Sequence, residues 1–429
     1  MQPPPSGPPG LRIAWLGAEP RPGGGVAGCA REVLLGLAEL GCEIDCFTSG
    51  APESFGFEES AYPGVKRVSA DIGWRFGRWY SSHSLTKVFT GLACLAIERT
   101  LLARELLRRH EASPYDVVFQ FSTIESFGPI RRSRGLPPLI LQPEVHAAGE
   151  LRWLRRERAL ARRCEPLVTR LLIDAMLRFR ARRQRRDIRR ASAVISISRS
   201  FGEQLCADYG VPRDRIVNIP NAIAVSGMRP ATGARSPGPI RLVFVGRISV
   251  RKGIQRLVDL SHRLDDLAGD VTLNLMGDRT LWSDYRPLLT GLNENVARYL
   301  GPLSHSDTMQ ELSRADVLIH VPSYEPFGLV VGEALALGVP AVVTDAVGAA
   351  EGVSEECCTR VPADDVDALE RAVRAAVERA REHGGGYVRE VARREAERLF
   401  DPRVVAERTL AALQVAGRSA ARTPSRTPD

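Results

Sequence analysis

Two stretches in the second half of the chain hold side chains suited to gripping a diphosphate. The first is Phe244-Val245-Gly246-Arg247-Ile248-Ser249-Val250-Arg251-Lys252-Gly253. Its apolar run ends at Gly246, and Arg247 and Lys252 follow in the loop. In an open α/β sheet such a loop lies at the carboxyl edge of the strands, where ligands bind. Arginine offers a planar fork of donors and lysine a compact charge, so two such cations on one loop can flank a diphosphate. The 59 Lys and Arg residues include three lysines, Lys66, Lys87 and Lys252. A lysine kept in so arginine-rich a chain marks a position that asks for an ammonium. Taken alone, the loop also fits a solvated basic turn.

The second stretch runs Ser323-Tyr324-Glu325-Pro326-Phe327-Gly328-Leu329-Val330-Val331-Gly332-Glu333-Ala334, and on to Gly338 and Pro340. Pro326 and Gly338 predict a helix that begins near Phe327 or Gly328 and stops at Gly338, with Pro340 barring continuation. Gly328 has no side chain to block the backbone. The N–H groups of Gly328, Leu329 and Val330 can therefore face an anion at the positive end of the helix dipole. Glu325 precedes the helix, and Glu333 lies about one and a half turns into it. A carboxylate can accept hydrogen bonds from two neighbouring hydroxyls. One on either side of an anion-binding helix start suits a nucleotide-sugar, with a ribose at one end and a hexose at the other. The alternative, a pair of surface glutamates, sits poorly with Glu333 among Val, Ala and Leu.

These loops need sheets to carry them. A chain of 429 residues has room for two or three domains. Hydrophobic residues are 44% and charged residues 26%, which excludes a wholly disordered chain, a collagen-like repeat and a disulfide miniprotein. Apolar runs predict strands at Leu11–Gly17, Glu43–Thr48, Asp116–Gln120, Leu139–Gln142 and Ala193–Ser198, with a helix at Val26–Leu40. A second series follows at Ile240–Gly246, Val271–Met276, Val317–Val321 and Val339–Thr344. Strands separated by helices predict parallel sheets covered on both faces. The expected layout is a Pro/Gly-rich disordered lead at 1–10 and a first α/β domain at 11–218. A Pro/Gly-rich linker at 219–239 leads to a second α/β domain at 240–398. A C-terminal helix at 399–416 should pack back on the first domain, before a disordered tail at 417–429.

A formal net charge of +8 admits anionic partners without choosing one. Fifteen arginines fall within residues 151–190, interleaved with Trp153, Leu160, Leu167, Leu171, Leu172 and Phe179. This predicts amphipathic helices, either a solvated face or a surface that meets an anionic membrane. No nucleic-acid-binding motif accompanies them, so no nucleic-acid partner is expected. MQPPPSGPPG lacks the charged and apolar regions of a signal peptide, and no run of 18 apolar residues exists to span a membrane. Eight scattered cysteines without a CxxC pair predict free, mostly buried thiols in a reducing compartment. The expected location is the cytoplasm, or the cytoplasmic face of the membrane if the arginine-rich helices meet lipid.

In order and spacing, these motifs resemble the retaining glycosyltransferases of family 4. Gly-Arg-x4-Lys-Gly followed by Glu-Pro-Phe-Gly-x4-Glu-Ala matches that family's signature, and the similarity runs from about Ser192 to Glu351. The resemblance implies the GT-B fold, two doubly wound Rossmann-like domains facing a central cleft. It implies that Arg247 and Lys252, after the turn at Gly246, bind the donor diphosphate. Phe327, Gly328, Leu329 and Val330 line the same site, Glu333 holds the ribose, and Glu325 holds sugar hydroxyls near C3 and C4. Pro22-Gly23-Gly24-Gly25 resembles the family's glycine-rich loop, which adds Gly24 and Gly25 to the donor site. The same glycines also match GxGxxG. A dinucleotide site is disfavoured, because the preceding strand ends too early, at Gly17, and no acidic residue closes the second strand. His146 is the match for the family's histidine near the sugar's C6 hydroxyl, with Ala147 where the family usually has Asp. Two more departures are Asn221-Ala222 for Asn-Gly, and Val347-Gly348-Ala349-Ala350-Glu351 for Gly-Gly-x-x-Glu.

The implied activity is transfer of a hexose from a UDP- or GDP-sugar to an acceptor hydroxyl with retention of configuration; the arginine-rich helices alone point to envelope polysaccharide or glycolipid synthesis. Arg247, Lys252, Glu325 and His146 are the implied catalytic set, and no metal or other cofactor is expected. The acceptor is lipid-linked or soluble. The alternatives are a natural-product glycosyltransferase, or an epimerase or phosphorylase on the same fold. A non-catalytic nucleotide-binding protein is disfavoured by the intact Arg/Lys/Glu/Glu set.

Overall fold

Seven strands form the first sheet: β1 (Arg12–Gly17), β2 (Glu43–Thr48), β3 (Val65–Ser69), β4 (Val117–Ser122), β5 (Leu139–Pro143), β6 (Ala193–Ser196) and β7 (Ile216–Asn218). Six form the second: β8 (Ile240–Val245), β9 (Val271–Met276), β10 (Ala297–Gly301), β11 (Val317–His320), β12 (Ala341–Thr344) and β13 (Cys358–Val361). The structure is a computed structural model that describes residues 10–48, 61–69, 85–125, 136–162, 164, 166–230, 238–280, 284–382 and 386–421. The sheet orders are β3-β2-β1-β4-β5-β6-β7 and β10-β9-β8-β11-β12-β13, and every pairing is parallel. Strand order reverses between β1 and β4 and again between β8 and β11, the points where open α/β sheets hold ligands.

Helices cover both faces of each sheet, as parallel sheets require. The first sheet carries α1 (Gly25–Glu39), α2 (Leu85–Ala112), α3 (Ala147–Arg156), α4 (Arg158–Ala161), α5 (Leu167–Asp187) and α6 (Arg199–Tyr209). The second carries α7 (Ile254–Arg263), α8 (His305–Ser313), α9 (Leu329–Ala336), α10 (Val366–Glu382) and α11 (Gly386–Phe400). A last helix, α12 (Pro402–Ala421), leaves the second domain and lies on the first. Double cover explains why Ile13 to Leu16 of β1 are all fully buried. Trp15 packs there against Phe119 and Phe121, with ring centroids 5.1 Å away in each case.

The expected strands correspond to the middle of each sheet. The four that the sequence reading lacked, β3, β7, β10 and β13, are the four sheet edges. Two boundary expectations need correction. The 219–239 stretch is not a loose linker at its start, because Ile219, Ala222, Ile223 and Val225 are all buried. Ile223 and Val225 belong to one continuous core that also holds Val194 and Phe201 of the first domain and Phe327, Val331 and Phe400 of the second. The C-terminal helix runs to Ala421, past the expected end at 416. Its Val405, Leu413 and Ala416 join the core of the first domain, as expected of a helix that packs back on it. Residues 1–9 and 422–429, within the expected lead and tail, lie outside the described residues.

Candidate functional site

Lys252 closes a short 3-10 turn (Val250–Lys252) after β8, and Ser249 caps that turn through its side chain. Glu325 stands in the loop between β11 and α9. Lys252 Nζ and Glu325 Oε2 are in direct contact, and both side chains are largely buried. His320 completes a triad, with Nε2 3.7 Å from the same Glu325 oxygen. Burial tends to raise the Glu325 carboxyl, but the Lys252 ammonium, His320 and Arg251 together outweigh it and hold the group well below the usual carboxylate range. Burial pulls the Lys252 ammonium below its ordinary value, against the pull of Glu325. The His320 imidazole is pushed down by burial and stays neutral. Neither of its ring nitrogens has a hydrogen-bond partner. Arg247 is exposed at the end of the β8 loop, its charge close enough to depress Lys252 further.

Helix α9 starts at Leu329, with Gly328 as its cap at φ +97°. A β-carbon on Gly328 would stand 3.2 Å from Glu325 Cγ and 3.1 Å from Val347 Cγ1. Glycine there does two jobs: it accepts the left-handed backbone and leaves Glu325 its place. No side chain caps the helix, so its first amides are open to an anion. The Gly328→Val variant should weaken nucleotide binding by about tenfold or more, since strain of about 1–3 kcal/mol adds to displacement of Glu325. Calorimetric titration measures this, and unchanged binding would contradict it.

Across the cleft, the loop before α1 brings Gly23, Gly24 and Gly25 against the second domain. They line a cavity of about 280 Å³ with Ile223, His305, Leu329 and Glu333. A β-carbon on Gly24 would lie 2.7 Å from the His305 ring and 3.5 Å from Glu333 Oε1. A side chain there would require the His305 ring to move aside. Burial pushes the Glu333 carboxyl up to about 7. Holding two ribose hydroxyls, the role the resemblance implies, would favour its ionised form. Nucleotide binding should therefore tighten about tenfold between pH 6 and pH 8 through this group. The nucleotide's own phosphate titrates nearby, so the readout is the slope that Glu333→Gln removes. An identical slope in both proteins would refute the assignment. The stability sign is opposite. A carboxyl whose folded value is raised stabilises the fold in acid and loses that contribution as pH rises toward 7.

His146 sits where β5 hands over to α3, and it is fully buried. Nε2 lies 2.6 Å from Asp208 Oδ2, and Nδ1 lies 2.9 Å from the Tyr324 hydroxyl. A carboxylate only accepts, so Nε2–H donates to Asp208 and Nδ1 accepts from Tyr324. The expected contact with a sugar hydroxyl is therefore not made available by this geometry: both ring nitrogens are taken. The ring instead ties the first domain to the residue preceding Glu325. Trp153 stacks on Tyr324, centroids 6.1 Å apart. Nearby, Ser198 Oγ donates to the Pro326 carbonyl at 2.8 Å. Glu351 accepts from the Arg199 and Ser200 amides at 2.6 and 2.9 Å, capping α6. The first domain thus clamps the loop that carries Glu325 from two sides.

Family models agree with this architecture. One described as Glycosyltransferase Family 4 matches residues 23–226, and one described as Glycosyl transferases group 1 matches residues 239–379. The chain belongs to glycosyltransferase family 4. A glycogen synthase of Mycobacterium tuberculosis is 29% identical over 200 residues, which are 44% of this chain and 47% of the synthase. The chain thus spans about half the length of that relative. A D-inositol 3-phosphate glycosyltransferase of Geodermatophilus obscurus is 29% identical over 86% of this chain and 83% of its own. A GDP-mannose-dependent phosphatidylinositol dimannoside mannosyltransferase of Mycobacterium tuberculosis is 31% identical over 43% and 47%. Among solved structures, sucrose-phosphate synthase from Thermosynechococcus elongatus superposes with a TM-score of 0.68 at 20% identity, covering 96% of this chain and 100% of that one. The Anabaena protein HepE, in complex with UDP and glucose, gives 0.61 at 18%, covering 94% and 99%. These likenesses show the GT-B fold.

In this family-4 chain, Arg247, Lys252, Glu325, Gly328 and Glu333 come from the second domain, and Gly24 and Gly25 meet the Leu329–Glu333 end of the site. The Phe327 side chain does not line it, being buried in the core against Phe400. Sequence reasoning missed His320 and His305. Both lie within the stretch that resembles the family, but sequence reasoning gave neither a role, and only the fold brings them to Glu325 and Gly24. It also gave Asn221 no role. Asn221 Nδ2 donates to Glu144 Oε2 at 2.6 Å, and Gln142 Nε2 donates to Asn221 Oδ1 at 3.2 Å. Burial raises the Glu144 carboxyl to about 7.

Proposed function

We propose that the protein transfers a hexose from a UDP- or GDP-sugar to an acceptor hydroxyl, with retention of configuration. The acceptor is lipid-linked in envelope polysaccharide or glycolipid synthesis at the cytoplasmic membrane face. The observation that carries this reading is the buried Lys252–Glu325 pair beside the open amides of α9, opposite the glycine loop and Glu333. As the glycosidic bond breaks, negative charge grows on the diphosphate oxygen. Lys252, Arg247 and the α9 amides stand where they can stabilise that charge without a metal. Lys252 must then swing from Glu325 to the diphosphate, which frees the Glu325 carboxylate to accept sugar hydroxyls. Attack of the acceptor hydroxyl on the face that the diphosphate leaves retains configuration. The match to a mannosyltransferase of a phosphatidylinositol dimannoside supports a lipid acceptor, and the UDP and glucose bound by HepE support a nucleotide-sugar donor.

The test is incubation with UDP- and GDP-hexoses, followed by nuclear magnetic resonance of the anomeric proton. Release of UDP or GDP, with slow hydrolysis to the same anomer and no effect of EDTA, is the expected result. Inversion would contradict retention, and absence of release would contradict transfer. Epimerisation of the donor without an acceptor would favour the alternative enzyme class.

A further inference from the structure

Among the described residues, twelve large hydrophobic side chains are exposed, and six of them lie on α5: Leu167, Val168, Leu171, Leu172, Met176 and Phe179. At about 3.6 residues per turn they share one half of the helix circumference. The opposite side, with Arg170, Leu177 and Gln184, is buried. The apolar residues occupy the first two-thirds of the helix, about 18 Å along its axis. Exposed Arg182, Arg185 and Arg186 continue the outward face. In all, α5 holds seven arginines and two aspartates. The sequence drew attention to the arginines, while the structure shows that an exposed apolar strip leads them. No described helix is long and apolar enough to cross a membrane.

A two-fold copy packed parallel to this strip would bring the arginines of one chain toward those of the other. An anionic bilayer meets both features at once. Its acyl boundary takes the apolar strip, and its headgroups take the arginines. We infer that the outward face of α5 docks on an anionic lipid surface. The helix is also well placed. It packs on α3, which follows directly on His146, and the intervening α4 buries Ala161 in the core of the second domain. The hairpin therefore bridges both domains beside the cleft, and lipid contact there brings the membrane to its mouth. The docking itself does not depend on sugar transfer. It rests on that reading only for the purpose it serves, delivery of a lipid-linked acceptor.

The experiment is sedimentation of the full chain with vesicles of phosphatidylcholine, with and without about one-third phosphatidylglycerol. At least about tenfold more protein should pellet with the anionic vesicles. Leu171→Glu with Phe179→Glu, and separately Arg185→Glu with Arg186→Glu, should each abolish the excess with unchanged melting temperature, since all four positions are exposed. Indifference to the anionic lipid, or to both variant pairs, would overturn the inference. So would a dimer in solution that the apolar pair dissolves while vesicles go unbound. Nucleotide titration of the same variants separates a failure here from a failure of the transfer reading.

Discussion

Lys252→Ala should cut the rate of sugar transfer by about two to three orders of magnitude, the usual cost of losing one donor that stabilises transition-state charge in a water-poor site. Most of the loss should fall on kcat, because charge on the leaving diphosphate grows as the bond breaks. Nucleotide affinity should also fall. The fold survives, because Glu325, left without its counter-ion, can take up a proton: burial already acts to raise its carboxyl. Lys252→Arg should not restore the rate, since a planar guanidinium does not occupy the place of a compact ammonium. Steady-state kinetics with a matched melting curve checks this. A Lys252→Ala protein within a few-fold of wild type would remove the basis for the catalytic assignment.

Glu325→Ala should cost about two orders of magnitude in kcat/KM and should also lower the melting temperature. Two causes act together. The sugar hydroxyls lose their acceptor, and the buried Lys252 loses its counter-charge, a break worth about 3–5 kcal/mol when one partner of a buried pair is removed. The stability cost carries a sign that can be checked. In the wild type the Glu325 carboxyl is held low, so the pair's contribution is present above the ordinary carboxylate range and disappears in acid. In the variant, burial leaves Lys252 alone with a depressed value. The folded protein then binds fewer protons than the unfolded one, and stability rises with pH. The melting gap to wild type should narrow as the pH is raised from near neutral into the alkaline range. A gap that stays constant would mean that the ion pair does not govern stability at this site.

The proposed phosphate-binding half of the cleft could be read as one unit because its residues are local in sequence. Arg247 and Lys252 share one loop, and Glu325, Gly328 and Glu333 share one loop–helix unit, so spacing alone brings them near each other. The central strands were legible for a related reason. Buried on both faces, they read as unbroken apolar runs, such as Ile13 to Leu16. The edge strands carry no such signal. β3 reads Val-Lys-Arg-Val-Ser with exposed residues at Lys66 and Ser69, and β7 has three residues, two of them exposed. Contacts made between domains were not legible. Nothing near His146 in sequence announces Tyr324, which lies 178 positions away, or shows that both ring nitrogens are occupied. In the same way, Glu351 matched the last residue of a motif, but nothing near it in sequence announced that it caps α6 from the other domain.

The central claim is that this cleft holds a nucleoside diphosphate through Lys252 and Glu333. The most direct measurement is calorimetric titration of the wild type, Lys252→Ala and Glu333→Gln with UDP, GDP and ADP. One nucleotide should bind at a single site, and each variant should weaken it by at least about tenfold, the effect of roughly 1.4 kcal/mol. Binding of no nucleotide, or equal binding by all three proteins, would contradict the account.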